Sequence, residues 1–94
     1  MKELEEAATV LRASSTTNVG KLAGAIVASF EKGKYPEILV RSIGAGAVNQ
    51  AVKSTIIANR QFVKKGYIAM ILPSFSDFDN GKTAVVFSIK VRKL

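Results

Sequence analysis

The chain has 94 residues, 48% of them hydrophobic and 22% charged, with fourteen Lys and Arg against seven Asp and Glu for a net charge of +7. That length supports one domain with a single modest core and leaves no room for a second domain to close over a substrate. The balance is globular rather than disordered, and no apolar run approaches the roughly 18 residues of a transmembrane candidate.

Taken in chain order, Met1 to Glu6 form an acidic opening, read as an extension of the single domain 1–94. It lacks the basic start and apolar stretch of a signal peptide, which predicts a cytoplasmic protein, and the absence of cysteine agrees. Residues 7–13, AATVLRA, are β-prone and end in Ser14-Ser15-Thr16-Thr17-Asn18. Thr17 or Asn18 is expected to cap the helix that follows by accepting from its free N–H groups. There Val19, Leu22, Ala23, Ile26, Val27 and Phe30 recur at three- and four-residue spacing until Gly33, which gives one buried stripe. After Pro36, EILVRSI is apolar on both faces, as in a strand with neighbours on both edges.

Gly44-Ala45-Gly46 then opens a long helix to about residue 64, with Val48, Ala51, Val52, Thr55, Ile56, Phe62 and Val63 assigned to its inner face. Asn59 also points inward, and a buried amide must find a partner, either a nearby backbone group or a matching residue across an interface. On the outer face Lys53, Ile57, Arg60 and Lys64 form one ridge with an isoleucine in its middle. Ile57 and Asn59 are therefore the candidate oligomer contacts, an isolated exposed isoleucine being the alternative. YIAMIL, residues 67–72, is a further strand that Pro73 is expected to close. Asn80-Gly81 is a two-residue turn signal, so TAVVFSIKVRK should return antiparallel. The order strand, helix, strand, helix, strand, strand is most simply a two-layer α/β sandwich, both helices on one face of a four-stranded mixed sheet.

Catalytic chemistry has little to work with. Without His or Cys there is no usual general base at neutral pH, no thiol nucleophile and few transition-metal ligands, so neither a catalytic residue nor a metal or cofactor is expected. Asp77 and Asp79 beside Ser74 and Ser76 read as ordinary turn residues rather than a Mg²⁺ site. A dinucleotide fingerprint needs a third glycine where this chain has Asn49, a larger parallel sheet, and an acid at the end of the next strand, which here is Leu72-Pro73. What survives is an anion-binding turn at Gly44, Ala45, Gly46 and Ala47, set against plain close packing of small residues.

VLRASSTTNVGKLAGAIVASF, IGAGAVNQAVKSTIIANRQFV and ILPSFSDF together resemble the stage V sporulation protein S family over about residues 9–92, with the eleven residues IGAGAVNQAVK the most distinctive. The resemblance implies a small cytoplasmic regulator of sporulation or related development with an Alba-like fold. It further implies a homodimer, or dimers paired into tetramers, binding DNA or RNA. Alba chromatin proteins carry lysines before their first helix and arginines before their second, where this chain has Ser15-Thr16-Thr17-Asn18 and Gly44-Ala45-Gly46, so those contacts do not transfer. The nucleic-acid candidates that remain are Lys21, Arg41, Lys53, Arg60, Lys64, Lys65, Lys82, Lys90 and Arg92, suited to phosphates rather than bases. Phe75 and Phe78 are the only candidate stacking rings. Three readings follow: a nucleic-acid-binding regulator, a protein-interaction module whose charge serves solubility, and a small-anion sensor built on the glycine turn.

Overall fold

The structure, a computed structural model, describes residues 8–33, 37–77 and 81–94. The elements are β1 (Ala8–Ala13), α1 (Val19–Lys32), β2 (Glu37–Ser42), α2 (Ala45–Lys64), β3 (Tyr67–Asp77) and β4 (Thr83–Lys93). The strands form one sheet in the order β1-β2-β4-β3. β1 runs parallel to β2, whereas β4 is antiparallel to both β2 and β3. This is the two-layer mixed α/β architecture expected from the order of elements, and β2, apolar on both faces, does have a neighbour on each edge.

Alternation along the strands assigns their side chains to two faces. Ile38, Val40, Phe87, Ile89 and Ala69 join Leu22, Ala23, Ile26 and Val27 of α1 and Ala51, Ala58 and Phe62 of α2 in the main core. The helices approach closely through Ala23, Ala51 and Ala58, all essentially inaccessible. Phe30, Phe62 and Tyr67 close one end of this core, Phe30 edge-on to the other two at centroid distances of 5.4 and 5.1 Å. The opposite sheet face carries a smaller cluster of Ala8, Leu39, Ala84 and Val86, with Val10 against it. On that face Ser88 donates a hydrogen bond to Glu37.

Pro73 does not close the third strand. β3 continues through it to Asp77, with Pro73 opposite Phe87. β3 is an edge strand, where a residue without an N–H is tolerated because one side of the strand has no ladder to complete. Asp77 receives a hydrogen bond from Thr83 at 3.2 Å, tying the strand ends together. The expected Asn80-Gly81 turn lies partly outside the described residues, as do Phe78, Asp79 and the acidic opening.

Candidate functional site

β1 and β2 are parallel and each leads directly into a helix start, so two short loops meet at one end of the sheet. The first loop consumes its own hydroxyls. Thr17 Oγ1 accepts from the Ser14 N–H at 2.7 Å, and the Thr16 N–H donates to Ser14 Oγ at 3.3 Å. Asn18 Oδ1 then accepts from the Lys21 N–H at 3.0 Å and caps α1. The second loop has no such side chain. Gly44 stands at the N-cap of α2 with φ +91° and ψ 155°, a conformation open essentially to glycine alone, and it offers no capping hydrogen bond.

The loops are packed together. A Cβ on Gly46 would lie 2.8 Å from the Ser15 Cβ, so the absence of a side chain lets the start of α2 seat on the first loop. Gln50 Nε2 donates to the Thr17 carbonyl at 2.9 Å, holding the same contact one turn further along. Ser42, fully buried, donates to the Val85 carbonyl at 2.9 Å and fixes the end of β2 to β4.

Beside this junction is a cleft of about 740 Å³ whose polar lining comes from Arg12, Ser14, Ser15, Arg41, Ser42 and Lys82. None of the described residues lining it is acidic. Arg12 and Arg41 are register partners on neighbouring strands and lie on the same sheet face. Arg41, Lys82, Gly44, Gly46 and Ala47, all singled out from the sequence, border the cleft, and Ala45 is the exposed first residue of α2. Arg12 escaped the sequence reading. Its signal is positional, the last charged residue of a strand before a helix-start loop, and it gains meaning only when β1 pairs in register with β2.

The other cationic candidates do not join this cluster. Lys21 is exposed in the first turn of α1. Lys53, Arg60 and Lys64 lie along the outer side of α2, exposed, over about 16 Å of helix at 1.5 Å per residue. Lys65 is paired with Glu31 at 2.8 Å, an exposed bridge of small energetic value. Lys90 and Arg92 are exposed toward the far end of β4, so Arg92 is about 30 Å along the strand from Lys82 at roughly 3.3 Å per residue. Phe75 is 81% exposed on the edge strand.

Two helix-face assignments need correction. Ile57 is half-buried and packs against the main core rather than standing out from the basic ridge. Val52, Ile56 and Val63, assigned to the inner face, are 38, 50 and 46% exposed. The apolar arc of α2 is wider than the sheet and α1 can cover, and the uncovered part is on the flank toward β3. Asn59 fixes that direction, because its Oδ1 accepts from the Ala69 N–H of β3 at 2.9 Å. It shares a row with Ile56 and Val63 at three- and four-residue spacing. Met70 and Leu72 of β3 are also exposed, on the opposite sheet face.

Among the described residues no helix is long and apolar enough to cross a membrane, and no group of three His, Cys, Asp or Glu is positioned to hold a metal ion. The family model of stage V sporulation protein S matches residues 9–92. Among solved structures, Alba from Thermoplasma volcanium is similar to this chain, with a TM-score of 0.54 at 12% identity, covering 90% of this chain and 100% of its own. At that identity the likeness concerns the fold, which is Alba-like.

Proposed function

The chain belongs to the stage V sporulation protein S family, and from that premise we propose that it is a non-enzymatic cytoplasmic regulator of sporulation or related development that binds DNA or RNA as a homo-oligomer. The observation that carries the nucleic-acid part is the convergence of Arg12, Arg41 and Lys82 on one cleft with no acidic residue among its described lining. Lys53, Arg60 and Lys64 extend the positive surface along α2. Cations so arranged attract a phosphate backbone through counterion release and position it without reading base edges. Tetrameric pairing of dimers belongs to the same proposal.

The oligomer is supported by the uncovered flank of α2. Val52, Ile56 and Val63 run beside an eleven-residue edge strand, β3, whose outer backbone groups have no partner strand among those described. A long apolar edge of this kind favours association with another chain. Ile57 and Asn59, the contacts expected from the sequence, are directed to the core and to β3, so the proposed interface moves to their neighbours. The same flank favours the second reading, a protein-interaction module of this fold without nucleic-acid binding, if what covers it is a different protein.

Sedimentation and oligonucleotide binding at low ionic strength separate these. Joint charge reversal at Lys53, Arg60 and Lys64 is expected to weaken oligonucleotide binding at unchanged oligomer size, and Ile56→Lys is expected to yield monomer. A wild-type monomer that retains oligonucleotide affinity overturns the oligomer, and a wild-type oligomer with no affinity for single- or double-stranded DNA or RNA overturns nucleic-acid binding.

A further inference from the structure

The sheet face turned away from the helices is better covered than the described elements account for. A two-layer domain leaves its second sheet face to water, yet Ala8, Leu39, Ala84 and Val86 on that face are 3, 3, 0 and 4% exposed. Both helices pack on the other side, and no described element crosses this one. Arg41, which shares the face, is half-buried as well. The face is also cationic. Arg12, Lys90 and Arg92 stand exposed on it, and Glu37, its one acid among the described residues, accepts from Ser88. Beside the buried cluster runs a trough of about 390 Å³, lined in part by Leu39, Leu72, Val86 and Lys90.

We infer that the occupant of this face is the acidic opening of the same chain, Met1 to Glu6, docked across the sheet as an intramolecular cover. Charge selects it. Glu3, Glu5 and Glu6 are three of the chain's seven acids, and they answer a face with three exposed cations. A second copy of the face would instead set arginine and lysine against their like, which is costly. Pattern selects it too, because Met1 and Leu4 offer apolar side chains to a floor of Leu39, Leu72 and Val86. The reach is sufficient. Residues 1–7 precede Ala8, itself part of the cluster, and at about 3.3 Å per residue they extend roughly 23 Å, against roughly 14 Å across three strand spacings. A cover there screens Arg12, Lys90 and Arg92, so it competes with a polyanion for them. That consequence alone rests on the nucleic-acid reading.

The chain has no cysteine, so Lys2→Cys places a single nitroxide label in the full-length protein, and paramagnetic broadening of methyl signals locates it. Signals of Leu39, Leu72 and Val86 are expected to be lost while those of Val52, Ile56 and Val63 on the α2 flank persist. Adding Leu4→Asp to the labelled protein should restore the lost signals. Broadening of neither set, or of the α2 flank instead, overturns the inference. Broadening that appears when the label and the isotopes are on separate chains assigns the cover to a second copy and overturns the intramolecular contact. Leu4→Asp also tests the competition, because it adds a negative charge yet frees the face. Oligonucleotide affinity is expected to rise about fivefold, the release of three weak exposed ion pairs, and a fall overturns the competition. Broadening as expected with no oligonucleotide affinity in either protein keeps the cover and overturns the nucleic-acid reading.

Discussion

The two helices begin next to each other and are finished differently. α1 closes its own amino terminus, with Asn18 accepting from Lys21 above a loop whose Ser and Thr hydroxyls are largely committed to one another. α2 begins at Gly44, without a capping side chain, beside a cleft that Arg12, Arg41 and Lys82 line. The first start is a solution to local stability. The second has no side-chain cap, and it is held by the seating of Gly46 on Ser15 and by the Gln50–Thr17 hydrogen bond. The polar, hydroxyl-rich loop is thus the support, and the glycine turn is the surface it supports.

Substitutions at the seam should break this contrast in order of severity. Gly46→Val puts a branched side chain against the Ser15 Cβ and is expected to cost about 3 kcal/mol, the upper range for overpacking. For a domain of this size that lowers the thermal midpoint by roughly 12–24 °C, measurable by calorimetry. Gly44→Ala forces a side chain into a conformation that residues with a Cβ avoid and should cost about 2 kcal/mol in a urea melt. Asn18→Ala removes the cap of α1 alone and should cost about 1 kcal/mol, with the seating of Gly46 and Gln50 on the first loop preserved. If Asn18→Ala costs as much as Gly44→Ala does, the contrast between the two starts is wrong.

Local signals were legible in the sequence. Asn18 before an apolar period of three and four marks the first helix start, and Asn59 inside an apolar face must find a partner, which is the Ala69 N–H. Non-local features were harder to read. Periodicity reports which side chains are apolar but not whether anything covers them, so Val52, Ile56 and Val63 looked like core and stand on an open flank. Pro73 reads as a stop until β3 is known to be an edge. The pairing of Arg12 with Arg41 depends on two strands being parallel and in one register, and neither local sequence encodes it. The glycine turn itself was visible, but its reason was split: Gly44 is required by backbone conformation and Gly46 by the approach of Ser15.

The salt dependence of oligonucleotide binding tests the account most directly. Three phosphate contacts predict a straight line of log affinity against log salt with a slope near −2.7, a loss of about 40-fold between roughly 50 and 200 mM. Arg12→Gln should make that slope shallower by about one contact. Affinity that is undetectable at the lowest salt, or that is present and unchanged across the range, would contradict a surface built to bind phosphates.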